Sequence, residues 1–284
     1  MMPVVLCISG SDNTAGAGMQ ADIKTCCALS CYPVSVVTAV TAQNPAGVKG
    51  VLYVGDDMLD AQLEATLSYF KPDAVKIGMI PTASAVDVIV RHIERYNLRN
   101  VVIDPVMSAT SGGSLTGDTS QTVVRMCQEL FSKATLVTPN IPELRKLARI
   151  TASNAGLPEN VAGLSDNGVN DEKIARVLMD RYDINAILLK GGHSEGKECI
   201  DKLYSRTCEA EVEETEEFRA ERIESCHTHG TGCTLSSAIA AGLAQGRDLS
   251  TSIRQAKTFV QDSIIRAKNH PLLPDQSPLL QFPT

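Results

Sequence analysis

The chain has 284 residues, enough for one large α/β domain or two ordinary ones, and 43% hydrophobic and 21% charged residues describe a soluble globular protein with a sizeable core. Aromatic residues are 4% and tryptophan is absent, which argues against a nucleic-acid surface of stacked rings and leaves the core to aliphatic side chains. The net charge of −7 also argues against a phosphate-backbone partner, and residues 209–221, with seven glutamates and one arginine, carry −6 of it. That segment reads as a solvated hairpin or flap. Nine cysteines without a C-x-x-C pair suggest free thiols and a reducing, cytoplasmic setting. The opening "MMPVVLCISG" lacks the basic start of a signal peptide, and no apolar run reaches the roughly 18 residues of a membrane span, so no membrane partner is expected.

Short β-branched runs alternate with helical stretches along the chain. Residues 4–9 read as a strand, followed by a glycine-bearing loop and a helix near 18–30. Strands follow at 34–42 and 48–54, then helix 56–70, strand 74–78, helix 82–97 and strand 101–104. Helix 115–131, strand 134–138 and helix 141–149 come next, and the Asn/Gly/Ser-rich stretch 150–170 reads as a loop. Helix 171–183, strand 186–190 and two amphipathic helices, 231–245 and 248–268, complete the pattern. Continuous aliphatic strands alternating with helices predict an α/β fold with a mainly parallel central sheet, helices on both faces and right-handed crossovers. No repeat interrupts it, so residues 1–270 are expected to form a single domain, with 271–284 a proline-rich tail.

Polar and glycine-bearing segments recur after strand ends, where open parallel sheets bind ligands. In "THGTGCT", residues 228–234, Gly230 and Gly232 permit a tight turn, and the helix behind them offers unpaired N–H groups and a positive dipole end to an anion. Alone, such a turn also reads as an ordinary helix start. Lys190 ends "AILLK" before Gly191 and Gly192, where a lysine can hold a phosphate as a point charge or simply lie at the surface. Asn140 and Glu143, three residues apart at a helix start, suit either Mg²⁺ and its waters or a capping pair.

Seven motifs in order, "SGSDNTAGAGMQADIKT", "TAVTAQNPAGV", "KIGM", "DPVMSATSGGSL", "TPNIPEL", "LLKGGH" and "THGTGCTLSSAIAAGLAQG", resemble the hydroxymethylpyrimidine and phosphomethylpyrimidine kinases of thiamin biosynthesis, a ribokinase-like family. The resemblance covers about residues 4–268. It implies the ribokinase-like fold, and ATP-Mg²⁺ phosphorylation of 4-amino-5-hydroxymethyl-2-methylpyrimidine and then of its monophosphate. It implies small-molecule partners and leaves room for a homodimer.

Carried over by motif, Gln43 matches the family's glutamine at the aminopyrimidine edge, Met79 and Val106 match apolar walls, and Asp12 and Asp22 lie toward the substrate. Asp104 and Glu143 match acidic positions near the metal, and Lys190 the lysine near the transferred phosphate. Gly230, Thr231 and Gly232 match the anion hole, and with Lys190 and Asn140 they are the expected nucleotide-binding residues. Cys233 stands where related sugar kinases carry an aspartate base. A thiol at a helix N-terminus is expected to ionise more readily, so that Cys233 takes the hydroxyl proton or orients the hydroxymethyl group. Plainer roles remain open: core filling for Met79, a turn cap for Asp104, a dipole partner for Asp22.

The first motif departs from the family's D-P-S-G-G-A-G, with Asn13 for proline and Ala15 for a glycine; if that glycine needs positive φ, the alanine is strained. Two alternatives compete with this reading. One is a pyridoxal kinase on the same fold, whose cysteine would meet the substrate aldehyde. The other is a non-catalytic pyrimidine-binding regulator, against which the intact Lys190, Gly230, Gly232 and Cys233 count. A nicotinamide-binding fold would need G-x-G-x-x-G near Gly16 and Gly18, which the chain does not complete.

Overall fold

A computed structural model describes residues 2–44, 46–107, 119–155, 170–192, 196–206, 213–270 and 281. Strands β1 (Val4–Asp12), β2 (Tyr32–Asn44), β3 (Gly47–Tyr53), β4 (Ala74–Ile77), β5 (Val101–Ile103), β6 (Leu136–Val137), β7 (Ala186–Leu189), β8 (Glu198–Arg206) and β9 (Glu213–Glu221) form one sheet in the order β3-β2-β1-β4-β5-β6-β7-β8-β9. The six central strands, β2 to β7 in that order, run parallel; β3 on one side and the β8–β9 hairpin on the other are antiparallel additions.

The pleat sorts the strand residues between two helical layers. Leu6 and Ile8 of β1 and Ile187 and Leu189 of β7 face a core shared with α2 (Asp56–Leu67), α3 (Ala83–Arg95), α4 (Thr119–Arg125), α5 (Ile141–Ala155) and α6 (Asp171–Tyr182). Their neighbours Val5, Cys7, Ala186 and Leu188 face α1 (Gly18–Ala28), α7 (Thr231–Ala244) and α8 (Leu249–Asn269). Each fully buried leucine or isoleucine contributes about 1.5–3 kcal/mol of transfer free energy, so this two-sided burial is what the aliphatic runs are for. On α7 the inward residues are mostly Ala, Ser and Gly, which let it lie close against α1 and α8; a Cβ on Gly242 would press on Ser252.

Several boundaries differ from expectation. Strand 134–138 shortens to two paired residues, and helix 141–149 continues to Ala155, into the predicted loop. The helix predicted from 115 is described from Thr119 and ends as a π turn and a 3₁₀ turn through Lys133. The strand β8 was not expected, because "ECIDKLYSR" has no aliphatic run. Of the hairpin and the flap read for the acidic stretch, the hairpin is what forms: from Glu213 it is the edge strand β9, antiparallel to β8, with Phe218 buried inward. Its charges find partners, Glu217 with Lys202 and Arg219, and Glu216 with Arg254. Residues 156–169, 207–212 and the proline-rich tail apart from Gln281 lie outside the described residues, as do 108–118 of the "DPVMSATSGGSL" motif and the start of the predicted helix.

Candidate active site

β1 is paired to β2 on one side and β4 on the other, so the chain switches direction across the sheet there, and the crevice beyond the strand ends is the expected ligand site. A cavity of about 700 Å³ occupies it, lined by Asp12, Gln43 and Met79 at one end and Asp104, Lys190 and Cys233 further along.

The first end is built on β1 and β2. β2 runs past the predicted terminus to Asn44, which puts Gln43 on the strand, 8% exposed, with its backbone N–H donating to Asn13 Oδ1 at 2.8 Å. Gln43 Oε1 is buried and has no hydrogen-bond partner among the described residues. Met79 and Val106 pack with Ala39, Val48 and Val51 into a small apolar wall beside it. Asp12 closes β1, and the loop after it winds around its carboxylate. The N–H groups of Thr14, Gly16 and Ala17 donate to it at 2.9, 3.2 and 2.9 Å, and His229 Nε2 lies 2.9 Å from Oδ2. Burial opposes ionisation, but hydrogen bonds from His229, Thr14, Gln43 and Ala17 outweigh it and hold the carboxyl well below the usual carboxylate range. Ala15, where the family motif has glycine, does adopt positive φ, at 59°, and carries the strain expected of an alanine there.

The second end is the turn at the start of α7. Gly230, at φ 88°, caps the helix, and a Cβ there would collide with the Gly16 carbonyl, so the turn and the loop after β1 touch at a point only glycine fits. Gly232 faces Lys190 and Asp104: a Cβ would lie 3.4 Å from Lys190 Nζ and 3.5 Å from Asp104 Oδ2. Thr231, Gly232 and Cys233 occupy the first turn, where N–H groups and the helix dipole favour an anion. Lys190 Nζ lies 2.7 Å from Asp104 Oδ1 and 3.8 Å from Glu143 Oε2. Burial opposes the charge on Lys190, but Asp104 and Glu143 outweigh it and raise the ammonium above its ordinary value. Glu143 is raised, chiefly by burial, with Lys190 pulling it back. Of the two roles left open for Asn140 and Glu143, the capping pair is the one formed. Asn140 N–H donates to Glu143 Oε2 and Glu143 N–H to Asn140 Oδ1, each at 2.8 Å, a reciprocal cap that points the carboxylate along α5 toward Lys190.

Two expectations are corrected. Asp22 does not line the cavity. It is fully buried on α1, ion-paired to Lys76 of β4 at 2.8 Å and accepting hydrogen bonds from the hydroxyls of Ser9 and Ser237, so it supports the floor one layer behind any substrate. The Cys233 thiol is not activated by its helix terminus. Burial pushes it up to about 11, against the pull of the Lys76 charge, so it is neutral near pH 7. Desolvation outweighs both the Lys76 charge and the Gly18 backbone N–H, the two features that favour the thiolate. Lys76 and His229 were not singled out by the sequence, although a lysine within the four buried residues of "AVKI" required a buried anion.

The family model for phosphomethylpyrimidine kinase matches residues 12–272. The hydroxymethylpyrimidine/phosphomethylpyrimidine kinase of Rhizobium meliloti is 37% identical over 99% of this chain and 98% of its own length. The thiamine biosynthetic bifunctional enzyme of Arabidopsis thaliana is 35% identical over 94% of this chain, which spans only 48% of that longer protein. The structure of the pyridoxal kinase from Staphylococcus aureus in complex with ADP superposes with a TM-score of 0.80 at 29% identity, covering 99% of this chain and 94% of that one. No helix among the described residues is long and apolar enough to cross a membrane. With its doubly covered, mainly parallel sheet and its glycine turn facing Lys190, this chain has the ribokinase-like fold and belongs to the phosphomethylpyrimidine kinase family of phosphotransferases.

Proposed function

We propose that the chain transfers the γ-phosphoryl group of ATP to the hydroxymethyl oxygen of 4-amino-5-hydroxymethyl-2-methylpyrimidine, and then a second one to the monophosphate. The observation that carries the choice of acceptor is Gln43 Oε1, a buried acceptor without a partner, at the apolar end of the cavity. An unsatisfied buried polar atom costs about 1–3 kcal/mol, and an amino group on a flat apolar ring supplies the missing donor. Met79 and Val106 cover the ring faces, and Asp12, beside Gln43, fixes which way the amide points.

Phosphoryl transfer needs chiefly positioning and charge neutralisation. Gly230, Thr231 and Gly232 present the helix start to the transferred phosphate, Lys190 follows its charge, and Asn140 holds Glu143 in place. Asp104 and Glu143 are hard oxygen donors on the cavity wall, and two carboxylates with water and phosphate oxygens suit Mg²⁺. Bound there, Mg²⁺ would neutralise phosphate charge. As a neutral thiol, Cys233 already holds its proton and orients the hydroxymethyl oxygen, whose own proton passes to an oxygen of the transferred phosphoryl group as the new P–O bond forms and the bond to ADP breaks. We further propose a cytoplasmic enzyme with one catalytic domain over 1–270. It would pair as a homodimer through the outer side of β2 and β3, where Val40 and Leu52 are exposed, Leu52 at 71%.

The likeness to a pyridoxal kinase keeps pyridoxal as a second acceptor, since an aldehyde ring also fits an apolar wall beside a thiol. Coupled ADP release with the pyrimidine, its monophosphate and pyridoxal separates the two. The expected result is kcat/KM at least tenfold higher for both pyrimidines; no turnover on either overturns the proposal.

A further inference from the structure

We propose that His229 is a positioning residue that couples the acceptor end of the cavity to its phosphate end, so that filling either end tightens the other. This rests on the placement of acceptor and ATP given above. The observation is a continuous chain of contacts across the site. Gln43 donates its backbone N–H to Asn13 Oδ1. Asn13 follows Asp12, whose carboxylate gathers the Thr14, Gly16 and Ala17 N–H groups and so defines the loop. From the other side His229 Nε2 donates to Asp12 Oδ2 at 2.9 Å, and the next residue is Gly230, the cap of α7. The turn that forms the anion hole therefore rests on the loop after β1 twice, through the His229–Asp12 bond and through the Gly230–Gly16 contact.

Three features make this junction a coupling element and not mere packing. Asp12 is 2% exposed, so its bond to His229 is charge-assisted and poorly screened. The loop it anchors is held against its own preference, with Ala15 at φ 59°, and relaxes if an anchor is lost. Asn13, which stands where the family motif has a proline, supplies the bond to Gln43 that a proline side chain cannot make. A ligand that draws Gln43 and the loop into place thereby presets the Gly230–Cys233 turn, and phosphate on that turn presets the loop.

The test is the dissociation constant of the hydroxymethylpyrimidine for the full chain with and without Mg²⁺ and the unreactive ATP analogue AMP-PCP. Wild type is expected to bind the pyrimidine at least about fivefold tighter with the analogue, within the ordinary range of site coupling. His229→Leu should bring the ratio to within about twofold of one, and His229→Gln, which keeps a donor, should restore it. If the leucine variant does not fold, Asp12→Asn, which weakens the same bond, should lower the ratio. A ratio in His229→Leu equal to that of wild type, or no coupling in wild type, overturns the inference while leaving the functional proposal standing. Failure of wild type to bind the pyrimidine at all overturns the functional proposal and the inference with it.

Discussion

Two buried lysine–carboxylate pairs lie along one cavity, and they are built for different ends. Lys76 and Asp22 are both wholly buried, and Ser9 and Ser237 complete the hydrogen bonding of Asp22. Lys190 and Asp104 are as close, at 2.7 Å, but Glu143 stands 3.8 Å away as a second carboxylate, and the lysine remains partly open to the cavity. The first pair is saturated and ties α1, β4 and α7 together. The second has more negative charge than one ammonium cancels, so under the proposed function it would give up its lysine to a phosphate and take a cation in exchange. Similar ion-pair distances thus mean different things according to what else surrounds them.

Breaking the sealed pair should have the largest effect. Lys76→Met leaves Asp22 buried and unpaired and should cost about 3–5 kcal/mol of stability by denaturant unfolding, most of it regained in Lys76→Met/Asp22→Asn. Unchanged stability in the single variant would erase the distinction. Breaking the open pair should act on catalysis: Lys190→Met should lower kcat by about 10²–10³-fold, the loss seen when one preorganised charge-stabilising group is removed. Its unfolding midpoint should move less than that of Lys76→Met.

Cys233, which lies between the pairs, should show a smaller effect. Cys233→Ala should lower kcat by up to about 10²-fold, the loss expected when a reacting group shifts by about 1 Å, and raise the pyrimidine KM less. The folded thiol is raised to about 11, above its ordinary value of about 8.5, so the unfolded chain ionises first as pH rises. The Cys233 contribution to stability is therefore complete below about pH 8.5 and lost as pH climbs toward 11, and Cys233→Ala should flatten that part of the stability profile. Ala15→Gly should be the mildest change, stabilising by about 0.5–1 kcal/mol as the positive-φ strain is relieved against the greater chain entropy of glycine. A destabilised variant would mean that Ala15 is not strained.

What could be read from the sequence followed from residues whose chemistry is local. Aliphatic runs such as "VVLCIS" and "AILLK" mark doubly covered strands, and glycines after strand ends mark the cavity mouth. Motif order then brought Gln43, Met79, Val106, Asp104, Glu143, Lys190 and Cys233 to one cavity, where the structure gathers them. The less legible features depend on contacts far apart in the chain. β8 has mixed composition because it lies toward the antiparallel edge, and β9 carries its glutamates there because Lys202, Arg219 and Arg254 come to meet them. Asp22 sits in a substrate-side motif, yet its partner Lys76 lies 54 residues away and draws it beneath the floor. His229 stands inside "THGTGC", but its role appears only when Asp12, 217 residues distant, is placed against it. Helix position alone suggested an acidic thiol for Cys233, and burial, which only the fold reveals, reverses the sign.

The central claim is that this cavity phosphorylates one pyrimidine twice, and product stoichiometry tests it most directly. With limiting 4-amino-5-hydroxymethyl-2-methylpyrimidine and excess ATP-Mg²⁺, the account predicts two ADP released per pyrimidine and the diphosphate as the final product by ³¹P NMR. One ADP per pyrimidine, with the monophosphate left unconsumed, would contradict it.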